Sequence, residues 1–253
     1  MNKHFVDDTS ALLGRSLRHI LRSPDTIITT AVTPIAMLLM FVYVFGASIH
    51  TGGGEYVNYL LPGILLITVA SGVAYTSVRL YTDMSGGILE RFQSMPIARS
   101  AILWAHVLTS LIANLISLVV VILVALAIGF RSGAGIIAWL GVLGIIVLFT
   151  LALTWLAIAA GLSARTMDGA SAFAYPLIFL PFLSSAFVPT DTMPGPVRWF
   201  ADHQPVTSIV DTIRALFAGQ PVGNEIWTAV AWCIGILAVA YVLAMATYRR
   251  KVG

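Results

Sequence analysis

Charged positions divide this chain into long apolar blocks. Between consecutive Asp, Glu, Lys and Arg residues, six charge-free stretches exceed twenty residues: 26–54, 56–78, 100–130, 132–164, 169–190 and 226–248. The next longest, 215–224, has ten. A hydrocarbon core about 30 Å thick takes roughly 20 apolar residues at 1.5 Å rise each. The pattern therefore predicts six membrane-spanning helices, near 27–47, 58–79, 102–129, 135–162, 171–189 and 226–247. A membrane β-barrel would show alternating segments of about ten residues instead, and the chain has none.

Three segments outside these spans carry patterns of their own. Residues 9–23 read as an amphipathic helix: Thr9 or Ser10 suits its N-cap, and Asp7 and Asp8 suit the positive end of its dipole. Leu13, Leu17, Ile20 and Leu21 share one face, Arg15, Arg18 and Arg22 lie on another, and Pro24 ends it. Such a helix ahead of a span lies in the interface beside anionic lipid. In 79–99, Gly86-Gly87 breaks the preceding helix, ILERFQSM offers one or two turns, and Pro96 stops them. Ile88, Leu89 and Phe92 make an apolar patch beside Glu90 and Arg91; taken alone, this reads as a solvated connection more readily than as a docking element. The third segment, 188–225, is rich in proline up to Pro205, after which PVTSIVDTIRALFAG reads as a helix. Pro205 suits its first turn and Gly219 its C-cap. Its apolar face is Ile209, Val210, Ile213, Leu216 and Phe217, with Asp211 and Arg214 paired at i, i+3. It is too short to span, so 190–218 is expected to be a re-entrant or interfacial hairpin.

Composition sharpens this picture. The 253 residues are 58 % hydrophobic and only 10 % charged, where soluble domains carry about a quarter. A soluble globular enzyme and a disordered chain are both excluded. Sidedness follows from Lys and Arg. Lys3, Arg15, Arg18, Arg22, Arg79, Arg91, Arg99, Arg165, Arg249, Arg250 and Lys251 fall on one side, against Arg131, Arg198 and Arg214 on the other. Both termini are thus expected in the cytoplasm. The first span is preceded by about 25 mostly polar or amphipathic residues and is full length, so it is not read as a cleavable signal. The single cysteine, Cys233, lies in the last span and reads as a small packer.

The candidate chemistry is sparse. The chain has no GxxxxGK[ST], HExxH, GxSxG or paired-cysteine motif. No Asp, Glu, Lys or Arg sits deep in a predicted span, whereas ion-coupled carriers rely on such groups or on broken helices at the midplane. His106 is the one histidine set within a span, near its cytoplasmic end, and reads as a hydrogen-bonded interfacial residue. Two polar stripes stand out: His106, Ser110, Asn114 and Ser117 in the third span, and Thr68, Ser71, Gly72, Tyr75 and Arg79 in the second. They could line a path; helix–helix contact is the plainer reading. Ala157-x-x-x-Gly161 reads as packing. No catalytic residue, metal site or cofactor site is expected, and no nucleic-acid partner. The chain has a transporter's shape without an engine.

The stretch LPGILLITVASGVAYTSVRLYTDMSGGILERFQSMPIARSAILWAHVL resembles the permease subunits of type-II ABC exporters, in the daunorubicin/doxorubicin-resistance branch. Asp83, Gly87, Glu90, Arg91, Pro96 and Arg99 match the family's order of acid, Gly, Glu-Arg, Pro and Arg. The segment SSAFVPTDTMPGPVRWFADHQPVTSIVDTIRALFAG is similarly family-like, except that Gln204 stands where Asn is usual. The resemblance covers nearly the whole chain, as a single permease domain over 1–253. It implies an all-α membrane protein whose 9–23 helix lies in the interface. A coupling helix (Gly87, Glu90, Arg91, Phe92, Pro96) would dock on separate ABC ATPase subunits that hold ATP and Mg, and 190–218 would be re-entrant helices. It also implies a second permease copy or paralogue and a multi-pass location in the bacterial inner membrane. The expected function is non-catalytic: export of a hydrophobic or amphiphilic drug or lipid, with Tyr75, Asn114, Phe173, Tyr175 and Phe179 as candidates along its path. The competing reading is a stand-alone ion-coupled carrier or membrane scaffold.

Overall fold

The computed structural model describes residues 25–46, 56–87 and 99–252. The helix expected at 9–23, with Arg15, Arg18 and Arg22, lies outside them. All regular structure among the described residues is helical. Helix α1 (Asp25–Met40) runs into a wider π-helical turn, Phe41–Phe45. Three long helices follow: α2 (Tyr56–Ser85), α3 (Arg99–Ala127) and α4 (Ile136–Ser163). Then come α5 (Met167–Ala172), α6 (Ala174–Phe179) and a 3-10 turn, Leu180–Leu183. Another 3-10 turn at Thr190–Thr192 precedes α7 (Gly195–His203) and α8 (Pro205–Phe217), and α9 (Glu225–Val252) closes the described chain.

Four of these helices, α2, α3, α4 and α9, are long and apolar enough to cross a membrane. They coincide with the expected second, third, fourth and sixth spans. The stretch expected as a fifth span, 171–189, overlaps a shorter apolar helical run, Met167–Leu183, made of three consecutive pieces. Pro176 stands third in α6 and Pro181 second in the 3-10 turn. Proline lacks an N–H, and Pro176 and Pro181 coincide with these breaks, whereas Pro34 and Pro62 are accommodated inside α1 and α2. Ser184 then turns extended, its hydroxyl donating to the Pro181 carbonyl at 2.6 Å.

Helix α2 is the axis of the bundle. It packs against α1, α3, α4, α5, α6 and α8, and more than half of its 30 residues are buried. Close approach is made by missing side chains. A Cβ on Gly161 of α4 would lie 2.7 Å from the Ser77 carbonyl oxygen, and one on Gly63 would lie 2.6 Å from the Ala186 Cβ. Ala157, one turn before Gly161, is fully buried, as expected of a small-xxx-small packing face. Helix α9 leans mainly on α4 and α8 and leaves Trp227, Trp232, Ile234, Val239, Val242 and Leu243 exposed. Against lipid tails such a face carries no penalty.

The two ends of the bundle differ. At the loop-rich end Tyr56 donates to the Phe187 carbonyl, and the Arg131 N–H donates to Asn58 Oδ1 at 3.0 Å. The Phe217 carbonyl at the end of α8 accepts from both Ser132 Oγ and the Gly133 N–H. At the tail end Tyr81 donates to the Arg165 carbonyl, and a second apolar cluster forms around Trp155, Leu80, Leu103, Ile158 and Tyr248.

Candidate functional site

The polar stripe of α3 meets its partners in mid-bundle. Thr76 of α2 donates to Ser110 Oγ at 2.7 Å, and Ser110 Oγ lies 3.4 Å from Thr154 Oγ1 of α4. Asn114 Nδ2 donates to the Ser110 carbonyl at 2.9 Å. Its Oδ1 has no hydrogen-bond partner and is wedged against Gly72, where a Cβ would lie 2.1 Å from it. Asn114 is 1 % exposed. Expected among the path residues, it faces α2 in a layer of helix contacts, where Gly72 leaves room for its amide.

The tail end holds an ionisable pair. His106 Nε2 of α3 lies 3.3 Å from Asp83 Oδ2 of α2, joining the two helices one turn before α2 stops. The stop is made by Gly87, whose φ of +68° suits glycine alone, after the Gly86 N–H has bonded back to the Thr82 carbonyl. Glu90, Arg91, Phe92 and Pro96 lie outside the described residues.

The loop-rich end is organised by one cation. Arg214 of α8 pairs with Asp211 one turn earlier, as its spacing predicts. It also donates to the Ser185 carbonyl at 2.7 Å and, from two nitrogens, to the Tyr59 carbonyl at 3.3 Å. Its guanidinium carbon sits 3.8 Å from the Tyr59 ring centre. Asp211 in turn accepts from Ser185 Oγ at 2.7 Å. Gln204, N-cap of α8, caps nothing there: its Nε2 reaches the carbonyls of Leu183 (2.6 Å) and Leu180 (3.3 Å). One amide thus serves carbonyls released by the broken helix. Gly219 ends α8 at φ +66°, with Gln220 N–H on the Ala215 carbonyl. Both features match the sequence expectation for this helix.

Among the described residues, the apolar helices hold hydroxyls and one amide inside and ion pairs at the ends of the bundle, the build of a membrane transport subunit. A family model described as ABC-2 type transporter matches residues 7–218. The chain belongs to this family. Among curated proteins, it is 28 % identical over 97 % of its length to the daunorubicin resistance ABC transporter permease protein DrrB1 of Streptomyces coeruleorubidus, covering 87 % of that protein. It is 26 % identical, again over 97 % of its length, to the probable doxorubicin resistance ABC transporter permease protein DrrC of Mycobacterium tuberculosis, covering 90 % of it. A putative transport permease, ycf38, of Porphyra purpurea is 25 % identical over 84 % of the chain and 75 % of its own length. These matches set it in the daunorubicin/doxorubicin-resistance branch of type-II ABC permeases, as a multi-pass membrane protein.

In this permease the remaining path candidates separate by exposure. Tyr75 (44 %), Tyr175 (59 %) and Phe179 (62 %) are open, on α2 and α6, which touch. Phe173 is half-buried against the main core. Tyr43 and Val44, in the π turn after α1, are open as well. Their neighbour Phe41 packs on Phe187 and Phe182, which stack at 4.6 Å. Sequence reasoning missed Tyr59 and Ser185 as partners of Arg214. No sequence signal pointed to them, because both serve Arg214 through main-chain carbonyls.

Proposed function

We propose that this permease is the membrane subunit of an ATP-driven exporter, moving a hydrophobic or amphiphilic molecule such as a drug or lipid outward. The observation that carries the reading is where its ionisable groups lie. No Asp, Glu, Lys or Arg lies within 56–78, 100–130, 132–164 or 226–248, the central parts of α2, α3, α4 and α9, and among the described residues the mid-bundle hydrogen-bonding side chains are hydroxyls and one amide. Ion coupling has no acid or base to work with at the midplane, and the chain has no phosphate-binding loop. The energy therefore enters from separate ATPase subunits, which hold ATP and Mg.

In this reading α1 and the broken α5–α6 stretch complete six spans. The tail end, with both termini, faces the cytoplasm, as the excess of Lys and Arg on that side supports. The amphipathic helix at 9–23 lies along the inner interface, and α7–α8 form the re-entrant pair at the outer end. The segment after Gly87 is the coupling helix, with Glu90 and Arg91 as its polar contacts on the ATPase, Phe92 as its apolar anchor and Pro96 as its stop. Two permeases pair through the open side of α1, α2 and α6, and substrate passes between them along Tyr75, Tyr175 and Phe179. ATP-driven closure of the ATPases pushes both coupling helices and rocks the halves.

The test is a charge exchange. Glu90→Lys with Arg91→Glu is expected to abolish co-purification of the ATPase and ATP-dependent efflux, while the permease keeps its helical circular-dichroism signal. Intact co-purification and efflux would refute the docking assignment. Transport by the purified permease alone under a proton gradient would refute the energy source.

A further inference from the structure

We propose that the groove between α3, α4 and α9 binds one acyl chain of an anionic phospholipid whose headgroup sits at Arg249, on the groove side of the basic turn Arg249–Lys251. The groove is a cavity of about 300 Å³ lined by Trp104 of α3, Leu151 and Trp155 of α4, and Ile234, Leu237, Ala238 and Tyr241 of α9. It exists because α3 and α9 each pack on α4 without closing on one another. Its floor is rigid: Trp155 is 2 % exposed and meets Trp104 edge-on at 5.3 Å and Tyr241 edge-on at 4.7 Å.

Chemistry selects the occupant. The lining is almost wholly apolar, so a polar ligand entering it would lose its bonds to water without replacement. Ile234 to Tyr241 is seven residues, about 10 Å along the helix axis. A cavity of about 300 Å³ over that length averages about 30 Å² in cross-section. That is too narrow for a helix 10–12 Å across and suits a single hydrocarbon chain. Charge selects the headgroup. The last turn of α9 carries exposed Arg249, Arg250 and Lys251, beginning eight residues, or about 12 Å, beyond Tyr241. A phospholipid with its tail in the groove places its phosphate at that depth. Each cation near an anionic headgroup is worth about 1 kcal/mol, or roughly fivefold in affinity. Trp104 and Tyr241, amphipathic aromatics near the same end, suit the boundary between tail and headgroup.

The experiment compares phosphatidylglycerol with phosphatidylcholine on the full chain, purified in detergent and stripped of lipid. Lipid retained per permease is counted by native mass spectrometry. The unaltered protein is expected to retain one phosphatidylglycerol, about fivefold in preference to phosphatidylcholine, as one groove-side cation would give. Arg249→Gln, Arg250→Gln and Lys251→Gln together should erase that preference and leave phosphatidylcholine retention unchanged. Ala238→Trp, which fills the groove, should remove both lipids about equally. A measurement on the unaltered protein stands independently of how these variants fold. Phosphatidylglycerol with a dibrominated tail should quench tryptophan fluorescence more strongly than dibrominated phosphatidylcholine, and Trp104→Phe should reduce that difference. Equal retention and equal quenching by the two lipids would overturn the headgroup assignment. Undiminished retention in a folded Ala238→Trp protein would overturn the groove.

Discussion

Arg214→Gln is expected to destabilise the permease by about 2–4 kcal/mol, the cost of breaking charge-assisted bonds and leaving their acceptors unserved. Four ties go at once: the Asp211 carboxylate, the carbonyls of Tyr59 and Ser185, and the face of the Tyr59 ring. Arg214 and Asp211 keep 22 % and 35 % of their side-chain surface exposed, so the loss stays below that of a fully buried pair. Asp211 also retains Ser185 Oγ. The purified protein should melt at least about 4 °C lower in a detergent thermal scan. Arg214→Lys should recover only part of this, because a point charge keeps Asp211 but cannot fork between two carbonyls. A melting temperature unchanged by Arg214→Gln would show that the α8–α2 junction is held by apolar packing alone.

The second large effect comes from two glycines that look alike and should behave differently. A Cβ at Gly161 meets the Ser77 backbone carbonyl at 2.7 Å, and backbone cannot step aside. Gly161→Ala should therefore cost about 1–3 kcal/mol by forcing α4 off α2, and Ser77→Gly should not rescue it. A Cβ at Gly72 meets the Asn114 side chain, at 2.1 Å from Oδ1. Gly72→Ala should also destabilise, but Asn114→Ala removes the obstacle. The double variant should then be more stable than the sum of the single losses by about 0.5–3 kcal/mol. Denaturant titration of the four proteins in a double-mutant cycle reads this directly. Additive losses at 72 and 114 would show that the two residues do not bear on each other.

What the sequence made legible followed from physics that acts residue by residue. Charge in hydrocarbon is costly wherever it stands, so long charge-free runs mark α2, α3, α4 and α9. The ends of α8 were legible because Pro205 and Gly219 carry backbone constraints of their own. The Ala157–Gly161 face was legible because absent side chains permit contact. The fifth apolar stretch was legible as apolar, but its division into short helical pieces was not, because a count of charges carries no information on where a helix is interrupted. The partners of Arg214 and Gln204 were not legible at all. They are main-chain carbonyls at residues 59, 180, 183 and 185, and a carbonyl's availability depends on where helices stop. Similarly, the α3 stripe revealed that something polar was shared, and only the structure showed that Asn114 bonds within its own helix and lies against Gly72 of α2.

The hydroxyl layer bears on biosynthesis. Helices of such a protein enter the bilayer before all their neighbours exist, and a bare hydroxyl or amide in lipid is costly. Here the groups are provided for in advance by their own turns. Thr68 donates to the Ile64 carbonyl, Thr154 to that of Thr150 and Asn114 to that of Ser110. Those three groups need no neighbour while their helices are solitary, and the Thr76–Ser110–Thr154 contacts are added when the helices pack. Assembly can then wait for α4 without stranding α2 and α3 as misfolded intermediates, and the order of emergence from the ribosome need not match the order of packing.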